Sequence, residues 1–258
     1  MTETRPDVYA SRHGGVLRIV VNRPARMNAL TTETLESLAT IFVEHAQSSD
    51  VRVAVLEGEG KAFCTGADLA DVTLSGPPSA DTIDAANALV QTIREFPFPV
   101  VAAVRGPAAG VGVSLALACD LVLAAESSYF LLAFTKVGLM PDGGATALVA
   151  ASIGRARAMR MALLAERLSA RDAFDCGLVS HVCEDDAFAV ELADLTHRLV
   201  AGSSPAFRFT KKAINDATLT ELGDAFTRER SGQIDLLGSG DFAEGVAAFQ
   251  EKRAAVFG

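Results

Sequence analysis

Along the first fifty residues the apolar positions change period. Two β-rich runs, near Asp7–His13 and Val16–Val21, come first, and the chain then turns through "NRPARMNAL" (22–30). "TTETLESLATIFVEHAQ" (31–47) takes up helical apolar spacing, with Thr residues placed to cap its start. "VRVAVLEG" (51–58) reads as a buried strand from its Val and Leu content. A Gly-containing loop follows, then a further loop and helix leading to Glu95. "FPFPVVAAVRG" (96–106) predicts a strand entered through prolines, and "AAGVGVSLALACD" (108–120) a helix of small residues. "LVLAAESSYFLL" (121–132) gives two short strands. Strand pairs thus alternate with helices at loosely similar intervals. The pattern predicts an α/β chain of stacked ββα units rather than a plain doubly wound sheet, although no sequence repeat accompanies it.

After about Gly202 the texture changes. "SPAFRFTKKAINDAT", "LTELGDAFTRERSGQIDLL" and "GDFAEGVAAFQEKRAAVF" all carry the helical period. Residues 1–202 are therefore expected to form the core domain and 203–258 a C-terminal helical region. Its apolar residues would pack on the core or on another subunit.

Composition narrows the function classes. In 258 residues, 50% are hydrophobic and 21% charged, enough apolar material for one large domain. The net charge of -9 and the absence of a basic run argue against nucleic acid as a partner. They leave room for an anionic ligand, which a few local cations and helix N-termini can hold. No apolar run reaches the ~18 residues of a membrane span, and the polar start has no apolar signal core. A cytoplasmic protein is the expectation. Cys64, Cys119, Cys176 and Cys183 match no zinc spacing and suggest no disulfide framework, so no metal is expected.

Two glycine-containing loops carry candidate chemistry: Cys64–Asp68, placed between a strand and a short helix, and Gly106–Gly112, between a strand and a long helix. Small residues such as Gly66 and Gly110 let a ligand approach the backbone closely. N–H groups at a helix start point outward unpaired, and two from different loops can converge on one developing oxyanion. Tight strand-to-helix turns would have the same sequence. Lys136–Thr146, "KVGLMPDGGAT", poses a similar choice. Asp142 is either a helix cap or a carboxylate at the edge of an apolar pocket, able to move protons.

Several stretches in order resemble the crotonase, or enoyl-CoA hydratase/isomerase, superfamily: "NRPARMNAL" (22–30), "GKAFCTGADL" (60–69), "PVVAAVRGPAAGVGVSLALACDLVLA" (99–124), "KVGLMPDGGAT" (136–146), "ERLSARDAFDCGLVSHV" (166–182) and "FQEKR" (249–253). The resemblance implies a crotonase-like spiral of ββα units and an acyl-CoA thioester substrate, with coenzyme A part of that substrate and no separate cofactor. It implies assembly as a homo-trimer or hexamer through the C-terminal region. By the same resemblance, the N–H groups of Ala67 and Val111 hold the thioester oxygen. Ala25, Arg26 and Met27 line the CoA site, and Asp68 and Leu69 meet the adenine and pantetheine. Phe249 and Lys252 match positions that reach a neighbouring subunit's CoA.

Hydratases of this family carry two glutamates. Their places here are Ser114 and Phe134, neither of which can act as a carboxylate. Ser114 is expected to bond back to its own helix, or else to a water or ligand. Phe134 would fill the acyl pocket or the core. Some isomerase branches instead carry a carboxylate at the "PDGG" position. Shifting a 3-enoyl double bond to the 2-enoyl position needs one base, and Asp142 suits it. Burial beside Phe134, Leu139 and Met140 would raise its pKa, and the following helix N-terminus would favour its anion. Asp68 reads as a cap or a backbone contact. A weak hydratase and a non-catalytic acyl-CoA-binding protein remain the alternatives. Val72–Asn87 is expected to form a mobile loop over the acyl pocket.

Overall fold

The two opening runs pair as an antiparallel hairpin, β1 (Val8–His13) and β2 (Val16–Val21), in the computed structural model, which describes residues 6–70 and 79–258. Helix α1 (Thr32–His45) buries Leu35, Leu38 and Phe42 along one face, and Thr31 caps it by accepting from the Thr34 N–H at 3.3 Å. β3 (Val53–Gly58) lies parallel to β2 and is buried along its whole length. Helix α2 (Asp81–Glu95) follows.

Each later unit gives one strand to this sheet and a second, shorter strand to a smaller layer. β4 (Val100–Val104) is followed by β5 (Pro107–Ala109) and helix α3 (Val111–Ala118). β6 (Leu121–Ala125) is followed by β7 (Tyr129–Leu131), a 3₁₀ turn (Phe134–Val137) and helix α4 (Ala145–Leu164). β8 (Leu168–Ser169), helix α5 (Ala170–Asp175), β9 (His181–Cys183) and helix α6 (Phe188–Ala201) complete the series. The large sheet has the order β1-β2-β3-β4-β6-β9, parallel after the first pair, and the small one β5-β7-β8. This is the expected spiral of ββα units.

The large sheet explains the unbroken apolar runs. Ala54, Leu56, Ala102, Val104, Val122 and Ala124 face the main core with α1, α2 and α3. Val53, Val55, Val101, Ala103, Leu123 and Ala125 face Phe188, Leu192, Leu195 and Leu199 of α6. A parallel strand covered on both faces has no polar side. Pro107–Ala109 differs from the expected loop. It pairs with β7 as a strand, because the chain has already crossed into the smaller layer.

Beyond residue 203 the chain is helical: α7 (Ser204–Thr218), α8 (Leu222–Leu237) and α9 (Gly240–Glu251). α7 buries none of its residues and leaves Phe209 and Ile214 exposed. Lys211 tethers it, with Nζ 2.8 Å from Asp120 Oδ2 and 3.2 Å from the Ile93 carbonyl. Among the described residues no helix is long and apolar enough to cross a membrane.

Candidate active site

The two glycine loops are laced together by backbone contacts. The Phe63 and Cys64 N–H groups both approach the Pro107 carbonyl at 3.2 Å, and the Ala109 N–H donates to the Cys64 carbonyl at 2.8 Å. Gly66 has φ +99° and Gly110 φ +55°, conformations that favour glycine. A Cβ on Gly66 would lie 3.4 Å from Gly110 Cα, and one on Gly110 would lie 3.3 Å from Gly66 Cα. Side chains at either place would push the loops apart. Their absence lets the backbones of Gly66 and Gly110 meet, one residue before Ala67 and Val111. The N–H of Asp68 is paired with the Leu30 carbonyl and that of Gly110 with the Leu131 carbonyl. No acceptor is found among the described residues for the N–H groups of Ala67 and Val111. Val111 opens α3, so its N–H stands at a helix N-terminus, where negative charge is favoured.

A third glycine brings in the "PDGG" turn. At Gly143, φ is +63°, and a Cβ there would lie 3.1 Å from both Val111 Cγ2 and Ser114 Cβ. Ser114 does not bond back to its own helix as expected. Its Oγ donates to the Asp142 carbonyl at 2.8 Å, because the turn packs close enough to offer a better acceptor than the filled helix ladder. Phe134 opens the 3₁₀ turn, is buried, and places Cζ 3.8 Å from where a Gly110 Cβ would stand. The two places where the resemblance expects glutamates are thus a backbone tie and an aromatic wall.

Asp142 does not cap α4. The N-terminus of that helix is held by Glu229 of α8, a fully buried side chain. Its Oε2 accepts from the Gly144 N–H at 2.7 Å, and its Oε1 accepts from the Thr146 N–H at 2.8 Å and the Thr146 hydroxyl at 2.5 Å. One turn later on the same helix, Gln233 Nε2 donates to Asp142 Oδ2 at 2.8 Å. Asp142 is half-buried, enclosed by protein while keeping some access to solvent. Burial pushes its carboxyl up to about 7. The Gln233 hydrogen bond works against that rise, and the charge of Glu229 adds to it. The expected pull of the helix N-terminus is spent on Glu229, so burial prevails at Asp142. Glu229 is itself raised by burial, against its hydrogen bonds from Thr146 and Gly144.

Glu229 and Gln233 were not singled out from the sequence. Their only signal was two polar residues four apart on an otherwise amphipathic helix, a spacing that puts both on one face. Arg23 and Asn28 were missed in the same way. Asn28 is fully buried with φ +55°. It accepts from the Arg23 N–H at 2.9 Å and donates to the carbonyls of Glu59 and Ala62 at 2.9 and 2.6 Å. Arg23 reaches Asp68 Oδ2 at 2.9 Å and Asp7 Oδ2 at 3.0 Å. Asp68 is therefore more than a cap. One oxygen accepts from the Ala70 N–H at 3.2 Å while the other joins the ion pair that clamps the segments around Arg23 and Asp68 together.

Ala25, Arg26 and Met27 stand exposed around the 3₁₀ turn Pro24–Arg26, and the Thr65 hydroxyl donates to the Met27 carbonyl at 3.1 Å. Leu69 is half-buried. Its carbonyl and that of Ala70 each lie 3.4 Å from Gln250 Nε2 of α9 in the same chain. Phe249, beside Gln250, is exposed, as is Lys252, which ends α9 in a left-handed conformation at φ +55°. Of the acyl-loop expectation over 72–87, residues 71–78 lie outside the described residues, and from Asp81 the chain is α2. Burial pushes the Cys64 thiol up to about 12, leaving it un-ionised at neutral pH.

Comparison with known proteins places nearly the whole chain in one family. The sequence pattern of the enoyl-CoA hydratase/isomerase family matches residues 11–258. A probable enoyl-CoA hydratase of Rhodobacter capsulatus is 40% identical over 241 residues, 93% of each chain. The 1,2-epoxyphenylacetyl-CoA isomerase of Escherichia coli is 37% identical over 248 residues, 94% of this chain and 95% of that one. The crystal structure of an enoyl-CoA hydratase from Mycobacterium avium subsp. paratuberculosis superposes with a TM-score of 0.92 at 47% identity, covering 98% of this chain and 99% of that one. With its ββα spiral and its paired glycine loops, this chain belongs to the enoyl-CoA hydratase/isomerase family of acyl-CoA enzymes.

Proposed function

We propose that this protein is an enoyl-CoA isomerase that moves a 3,4 double bond to the 2,3 position. The observation that carries the reading is a half-buried carboxylate, Asp142, on a turn packed against Val111 and Ser114, with no carboxylate at Ser114 or Phe134. The thioester oxygen accepts hydrogen bonds from the N–H groups of Ala67 and Val111. Asp142 takes a proton from C2, and the C2–H electron pair forms a dienolate whose charge rests on the thioester oxygen. The protonated Asp142 then returns the proton to C4, and the C2=C3 bond forms. One base serves both steps because, once protonated at the first, it is the acid that the second needs. Each oxyanion N–H is worth ~3 kcal/mol in the transition state.

A carboxyl near 7 is matched to this work, since it is partly ionised at neutral pH and gives the proton up as readily as it takes it. The CoA moiety runs along Ala25, Arg26 and Met27, then Asp68 and Leu69. Phe134 packs against the acyl chain. The exposed Phe209 and Ile214 on α7 support self-association as a trimer or hexamer.

The test is turnover of a 3-enoyl-CoA, with exchange of the C2 hydrogens for solvent deuterium measured in parallel. Asp142→Asn is expected to abolish both while CoA-ester binding persists. Unchanged turnover in a variant that still binds would sink the reading. Hydration of crotonyl-CoA above background would favour the hydratase alternative suggested by the names of several relatives. Binding without any C2 exchange would mark a non-catalytic acyl-CoA-binding protein.

A further inference from the structure

We infer that Gln233, with Glu229 one turn before it on α8, is a positioning residue that fixes the orientation and proton affinity of the Asp142 carboxylate. The inference rests on Asp142 being the proton carrier and adds the device that makes it one. Gln233 is buried, and Nε2 holds Asp142 Oδ2 at 2.8 Å, which leaves Oδ1 as the oxygen that can meet the substrate. The other amide atom, Oε1, is buried and has no partner among the described residues. An orphan buried carbonyl costs free energy in the state that leaves it unpaired. A half-turn of the amide sets Oε1 against a protonated carboxyl, so one side chain can answer both protonation states of the base.

The surroundings are one-sided. From α8, Glu229 is the facing charge, and Gln233 is, among the described residues, the only donor on the carboxylate oxygens. From α3, Ser114 is spent on the Asp142 backbone carbonyl. The 3₁₀ turn brings Phe134, which has no charge. From α2, Asp84 is already paired with Arg230 of α8 at 2.6 Å. Arg228 acts on Glu229. Gln233 and Glu229 therefore oppose one another at Asp142, the first favouring the anion and the second disfavouring it.

The two substitutions predict opposite movements, which a merely structural role would not produce. Gln233→Met keeps an unbranched side chain of similar length but removes the donor. The acidic limb of the kcat/KM–pH profile should move up by about one pH unit or more. Glu229→Gln removes the charge and keeps one of the two acceptor oxygens at the start of α4, and the limb should move down. Should Glu229→Gln fail to fold, Gln233→Glu puts a second carboxylate against Asp142 and should move the limb up further than Gln233→Met. NMR titration of the Asp142 carboxyl reads the same movements without turnover. An Asp142 titration unmoved by Gln233→Met overturns this inference while leaving the isomerase reading intact. Movement of the Asp142 titration in Gln233→Met, alongside a separate Asp142→Asn variant that still turns over, would support the inference on carboxylate tuning and overturn the proton-carrier reading.

Discussion

Removing the charge from Asp142 should make the protein more stable as it makes it inactive. In the native state burial raises this carboxyl from its ordinary value near 3.8 to about 7. The folded protein therefore binds the proton more tightly than the unfolded chain between those two values. Stability is highest at the acid end and falls as pH rises through the interval. At 1.36 kcal/mol per pH unit, the full interval corresponds to ~4 kcal/mol of destabilisation above neutrality. Asp142→Asn removes that cost and keeps an oxygen for Gln233 Nε2. It adds an N–H₂ that needs an acceptor, which offsets ~1 kcal/mol. The expected gain is ~2–4 kcal/mol at pH 8, equivalent to roughly 5–10 °C in Tm for a chain of this size. At pH 4, where the parent carboxyl is protonated in the native state, the difference should nearly vanish. Thermal unfolding of both proteins at pH 4 and pH 8, at matched concentration, checks it. Equal Tm values at pH 8, or the same gain at both pH values, would refute the reasoning from burial.

Two further outcomes follow from the same packing. Gly143→Ala puts a Cβ 3.1 Å from Val111 Cγ2 and Ser114 Cβ at φ +63°. It should cost ~1–2 kcal/mol in backbone strain and lower kcat at least tenfold by displacing Asp142, as unfolding curves and steady-state kinetics would record. Cys64 and Cys119 are both buried with thiols pushed up by desolvation, so thiol alkylation at pH 8 should spare them in the native protein and label them after unfolding, as peptide mass mapping would report.

The elements most visible in the sequence were those whose period is set by local burial. α1, α8 and the strands near Val16, Val53 and Val100 start and stop within a few residues of their apolar patterns. Pro107–Ala109 escaped notice as a strand because three residues carry no period, and its pairing is with β7, over twenty residues away. The motif loops were legible as loops. That they touch was not, since contact between Gly66 and Gly110 depends on β3 lying beside β4 and on the bridge between Cys64 and Ala108.

Asp142 shows the same division more sharply. Its residue type, its glycine neighbours and the missing glutamates at Ser114 and Phe134 are properties of the chain read in order, and they suffice to make it a candidate base. Whether its side chain caps a helix or faces Gln233 depended on a competitor in α8, far along the chain. Glu229 takes the N–H groups of Gly144 and Thr146, and Gln233 takes one oxygen of Asp142. Local sequence specifies what a group can do with its near neighbours. The protonation state and direction of a buried carboxylate are set by desolvation and by charges within a few ångströms, and those partners are brought there only when α8 packs across the start of α4.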